Sequence, residues 1–117
     1  MMKIFVAALA VVILPVQAVA GTAAGYITGL MAHSGGEDSG PGVFMFTLDG
    51  DRNNAPSCST ENGGKDWAMS LESEAGRAMY ALVLSAHAQG KRIYVTGTGH
   101  CDSWGDREQP EWISVGQ

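Results

Sequence analysis

Residues 25–32 alternate, with Tyr26, Thr28, Leu30 and Ala32 on one face and Ile27 and Met31 on the other, which predicts a first strand. Residues 43–48 form a continuous apolar, β-favouring run that Asp49-Gly50-Asp51 stops with a turn. Trp67, Met69 and Leu71 alternate in a third strand over residues 66–71. Later in the chain, residues 92–98 set Ile93 and Val95 against Tyr94 and Thr96. Residues 111–115 then set Trp112 and Ser114 against Ile113 and Val115. Trp67 and Trp112 both fall in strand patterns and are expected in the core.

One helix is expected, over residues 74–89. Ser73 stands where it caps the first turn, Glu72 and Glu74 suit the positive end of the dipole, and Gly90 with Lys91 and Arg92 marks the other end. Ala75, Met79, Leu82, Val83 and Ala86 make a core-facing stripe, while Tyr80, Ala81, Leu84 and Ala88 make a second apolar strip. A small domain has little depth in which to bury a helix on two sides, so Tyr80, Leu84 and Ala88 are candidate oligomer contacts. The segments 33–42, 52–64 and 99–106 read as loops, the second too polar to be core. Three strands, a helix and two strands is the element order of a five-stranded OB-type barrel, mainly β with one helix between strands 3 and 4.

The start of the chain changes where this domain is expected to work. Lys3, the apolar run 4–16 and Ala18-Val19-Ala20 have the form of a signal peptide with a small-residue cleavage site. The run is too short, and lacks the charged stop, for a retained membrane helix. Cleavage after Ala20 leaves 117 − 20 = 97 residues, 21–117, a single domain with no membrane span. The net charge of −5 becomes −5 − 1 = −6 without Lys3, which argues against nucleic acid as a partner. Two cysteines in an exported chain read as a disulfide, Cys58–Cys101. Closing a loop of about 44 residues, it would add on the order of 4 kcal/mol to a thin core.

Cys58, the segment Asp66-Trp67-Ala68-Met69-Ser70-Leu71, the helix start Ala75-Gly76-Arg77-Ala78-Met79-Tyr80-Ala81-Leu82 and the run from Gly90 through Cys101 to Asp102 carry a resemblance. Together they resemble a group of small exported bacterial proteins similar to the receptor-binding B subunit of subtilase cytotoxin. The likeness covers residues 58–115 and is a pattern of strand, tryptophan, helix and cysteine, with no catalytic motif. It implies an OB-type barrel with one disulfide, homo-oligomeric rings of five whose helices line a channel, a glycan or cell-surface ligand, and an enzymatic partner subunit. Residues 21–50 match no glycan-binding motif of that group.

Catalytic chemistry finds little support. His100 and Asp102 flank Cys101, but a thiol is a nucleophile only when free. His33, His87 and His100 have no ligand spacing, so no metal is expected. Asp49-Gly50-Asp51-Arg52-Asn53 opens like a calcium loop, yet the position where the closing Glu belongs is Thr60, so the segment reads as a hairpin turn. Gly97-Thr98-Gly99 lacks a third glycine for a nucleotide loop. Asp102, Asp106, Glu108 and Glu111 read as a solvated charged loop in preference to a glycosidase pair. Trp104 is the candidate ligand contact, its indole face set among Asp102, Ser103 and Asp106 as a sugar-binding site would have it. The expected function is that of a periplasmic or secreted binding protein without cofactor or catalysis. The alternatives are a stand-alone periplasmic structural or inhibitor-like protein and, further off, a small hydrolase.

Overall fold

The structure, a computed structural model, describes residues 2–14, 19–37 and 40–116. Residues 2–14 carry neither helix nor strand, and part of the expected leader, residues 15–18, lies outside the described residues, as do Asp38 and Ser39 of the 33–42 loop. The described residues form seven strands, β1 (Thr22–Gly25), β2 (Ile27–His33), β3 (Val43–Leu48), β4 (Arg52–Asn53), β5 (Asp66–Ser70), β6 (Ile93–Gly97) and β7 (Pro110–Val115), and one α-helix, α1 (Glu74–Gln89). They form two antiparallel sheets, ordered β4-β1-β6-β7 and β2-β3-β5. Among the described residues no helix is long and apolar enough to cross a membrane.

The strand expected over residues 25–32 is β2, at 27–33, and a further strand, β1, precedes it in the other sheet. The chain bends at Gly25, whose φ of +153° is unfavourable for other residues, and a Cβ there would lie 2.6 Å from the backbone nitrogen of Gly50. The Asp49-Gly50-Asp51 turn docks on this bend. Tyr26 N–H donates to Oδ1 of Asp49 at 2.8 Å, and Asp49 N–H donates to the Tyr26 carbonyl at 3.1 Å. Thr22, Ala23, Ala24 and Gly25 include no large apolar side chain, so no hydrophobic signal marks β1.

Between the sheets and α1 lies the core, built on Phe44, Phe46, Leu48, Trp67, Val83, Ala86, Ile93 and Val95. Burying each larger side chain is worth about 1.5–3 kcal/mol. The helix begins and ends as its caps dictate. Ser73 accepts from Gly76 N–H at 3.0 Å, and Gly90 closes the other end in the left-handed conformation. Its faces differ from the expected stripes: Tyr80 turns inward, its ring 5.1 Å from that of Phe44, whereas Ala75 is exposed. Leu84 and Ala88 face outward. Trp112 also departs from expectation, at 50% exposure. It pairs with Thr96 on the face of β7 turned from the core, while Ile113, beside Val95, packs inward. Tyr94 of the neighbouring strand β6 is exposed on the same face, at 44%, because no layer covers that side of the sheet. Ala75, Ala78, Met79 and Leu82 of α1 meet Trp112 and Ile113 along an open apolar groove.

Candidate functional site

Residues 98–109 connect β6 to β7 and cross the outer face of the β2-β3-β5 sheet at one end. The Cys58–Cys101 disulfide, with Cα atoms 6.1 Å apart, ties the start of this loop to the β4–β5 connection. Hydrogen bonds fix the rest. Thr60 N–H donates to the Asp106 carbonyl at 3.1 Å and Ala68 N–H to the Glu108 carbonyl at 3.2 Å, in a parallel bridge that sets Trp67 beside Glu108. Ser103 Oγ accepts from Ser70 N–H at 2.9 Å and donates to Oε1 of Gln109 at 2.5 Å.

Held this way, the half-buried Trp104 packs on Val43, Met45 and Ala68, and its ring lies 5.1 Å from that of His33. Period-two geometry explains the grouping, since Val43 and Met45 on β3 and Ala68 on β5 share the face turned away from the main core. Beyond the indole the same face stays open. There Gly29, Leu30, Met31, Met45, Phe46, Thr47, Asp66 and Arg107 line a concavity of about 240 Å³. One rim is charged: Arg107 Nη2 lies 3.6 Å from Oδ2 of Asp66, Arg107 also pairs with Asp106, and Thr47 Oγ1 donates to Oδ1 of Asp66 at 2.5 Å. An apolar floor, a flanking indole and a fixed ion pair suit binding of a ligand with both apolar and hydrogen-bonding faces. Of the four residues expected around a sugar, Trp104 and exposed Asp102 remain available, while Ser103 and Asp106 are engaged within the protein. A larger cleft of about 560 Å³ lies elsewhere, where Arg92 sits 6.0 and 5.9 Å from the rings of Tyr26 and Tyr94. Among the described residues no three His, Cys, Asp or Glu side chains gather as metal ligands would.

Glu108, expected in a solvated loop, is instead fully buried. Its Oε1 accepts from Arg52 Nη2 at 2.5 Å, with side-chain exposures of 0% for Glu108 and 6% for Arg52. Its Oε2 accepts from the backbone N–H groups of Gly21 and Gly99 at 3.0 and 2.9 Å. The Arg52 guanidinium lies 4.1 Å over the Trp67 ring, and its Nε donates to the Gly64 carbonyl at 2.7 Å. So the segment 52–64, expected to be too polar for the core, supplies the cation of a buried pair. The carboxylate fits only because glycine stands at 97, where a Cβ would overlap Oε2. Such a pair carries no sequence signature. Arg52 and Glu108 lie 56 positions apart, and their glycine neighbours look like ordinary turn formers.

No family model, curated protein or solved structure matches the chain.

Proposed function

We propose that the protein is an exported, non-catalytic binding domain that acts as a symmetric homo-oligomer on a glycan or other cell-surface ligand. The observation that carries this reading is the groove in which Trp112, half exposed, stands beside Ala75, Ala78, Met79 and Leu82 of α1. An apolar face of this kind is covered in an assembly, and a second copy of the chain supplies a self-complementary cover. Leu84 and Ala88 lie on another exposed flank of α1, about half a turn around the helix from the groove residues, with Tyr80 at its inner margin. On this reading the fold is an OB-type barrel. In support, β1 and β2 follow one another across the bend at Gly25 into different sheets, and the parallel bridge of Trp67 with Glu108 brings β5 beside the approach to β7. The disulfide supports an oxidising compartment, periplasmic or extracellular, reached through the leader. The resemblance to toxin B subunits supports the ligand class, the ring and an enzymatic partner subunit.

Two variants test the reading. Leu84→Glu is expected to shift the particle toward monomer while leaving the fold, because the new carboxylate would be desolvated only in the assembly. Sedimentation velocity reads the shift, and an unchanged oligomer would take the Leu84 flank of α1 out of the contact. Trp104→Ala is expected to lower stability by about 2 kcal/mol, less than a fully buried tryptophan would lose. It should also abolish binding of the glycan that an array identifies for the wild type. Thermal melting beside a binding titration separates the effects, and a destabilised variant with unchanged affinity would remove Trp104 from the site.

A further inference from the structure

We infer that Glu108 is a built receptor for the amino terminus that processing creates at Gly21. The inference rests on the export reading, in which the leader ends at Ala20. Two independent observations meet at this residue. The small-residue pattern Ala18-Val19-Ala20 puts the scissile bond between Ala20 and Gly21, and the backbone nitrogen of Gly21 donates to the fully buried Oε2 of Glu108 at 3.0 Å.

Gly21 is held without help from the leader. It is buried, its carbonyl accepts from Gly97 N–H at 2.8 Å, and the next residue, Thr22, opens β1. The chain reaches solvent at once on the leader side, through half-buried Ala20 and exposed Val19. No side chain fits at position 21, because a Cβ there would overlap Nη1 of Arg52 and approach Oε1 of Glu108 to 2.5 Å. A larger first residue of the processed chain would thus have to displace the buried Arg52–Glu108 pair.

Hydrolysis adds one water across the Ala20–Gly21 peptide bond. The carbonyl carbon of Ala20 keeps the hydroxyl oxygen as a carboxylate and departs with the leader, and the Gly21 nitrogen takes up protons to become an ammonium. In place of one neutral N–H, Oε2 of Glu108 then faces a cation, as Oε1 already faces Arg52. Each carboxylate oxygen then has its own charged donor, and the Oε2 hydrogen bond, already charge-assisted through the carboxylate, gains a direct ion–ion attraction. The second positive charge lies on the side the departed leader opens to water, which spares it the full desolvation cost. Removal of the leader therefore tightens the junction of β1, β6 and the 98–109 loop, and the processed chain is more firmly folded than the precursor.

The test uses protein recovered after export, with its amino-terminal sequence read first. A terminus other than Gly21 overturns the export reading of the leader and this inference with it. With Gly21 confirmed, the native protein is treated at neutral pH with an amine-acylating reagent, and the rate at Gly21 is compared with that in the denatured chain. The expected result is at least a tenfold slower reaction in the native protein. Protein acetylated at Gly21 alone is then unfolded in urea beside the free-amine form, and a folding constant about tenfold smaller is expected, from the loss of the ammonium charge beside the carboxylate. Equal stabilities, or equal acylation rates, overturn the inference while leaving the export reading standing. Glu108→Gln, where it folds, should remove the difference between acetylated and free forms, and a difference that persists would assign it to burial alone.

Discussion

Glu108→Ala is expected to cost about 3–5 kcal/mol, a large share of the 5–15 kcal/mol that keeps a small domain folded. The loss is not the value of one ion pair. Removing the carboxylate leaves the Arg52 guanidinium, 6% exposed and stacked 4.1 Å over Trp67, without a counter-charge. It also strips the backbone N–H groups of Gly21 and Gly99 of their acceptor. Glu108→Gln should cost less, since the amide oxygen still accepts although it carries no charge. Urea unfolding of both variants checks the order. A Glu108→Ala protein within about 1 kcal/mol of wild type would mean that Arg52 finds water or another anion, and that the buried pair does not organise this end of the fold.

The second large effect concerns the disulfide. Cys58 and Cys101 are 43 positions apart and enclose β5, α1 and β6. Opening that loop in the unfolded chain is expected to cost on the order of 4 kcal/mol, measured as the drop in unfolding free energy of a Cys58→Ser, Cys101→Ser double variant. The damage should be local as well as global, because the bond anchors the loop that carries Trp104. Trp104 fluorescence alone is masked by Trp67 and Trp112, so loop release is better read from amide exchange at Ser70, whose N–H is held by Ser103. Unchanged protection at Ser70 in the double variant would show that the hydrogen bonds hold the loop without the disulfide.

Much of the architecture is legible in the chain because its signals are local. Ser73 and Gly90 bound α1, and the apolar run 43–48 and the alternation at 66–71 and 93–97 mark strands without help from distant residues. What the pattern does not carry is position relative to the rest of the fold. β1 has no large apolar side chain to mark it, and the bend at Gly25 that moves the chain to another sheet is explained only by the docked Asp49-Gly50-Asp51 turn. Trp112 looks like core by its alternation, yet it stands on the face of its sheet that no layer covers. Tyr80 belongs to the outer strip by spacing and reaches the core through a ring long enough to meet Phe44.

At the candidate site the division is similar. Trp104 is conspicuous among turn formers, but its partners His33, Val43, Met45 and Ala68 come from three separated strands. Ser103 and Asp106, attractive as ligand contacts by type, are drawn into holding the loop instead. Charged residues in short polar segments look solvated. Arg52, Asp66, Arg107 and Glu108 depart from that rule because each finds an opposite charge across the fold.

Native mass spectrometry of the untagged protein recovered after export, without reductant, decides whether the chain assembles. A closed homo-oligomer of disulfide-bonded chains that each begin at Gly21 is expected, with five copies as the number the resemblance implies. A monomer at micromolar concentration would contradict it, because the groove between α1 and Trp112 would then be a face that no second copy covers.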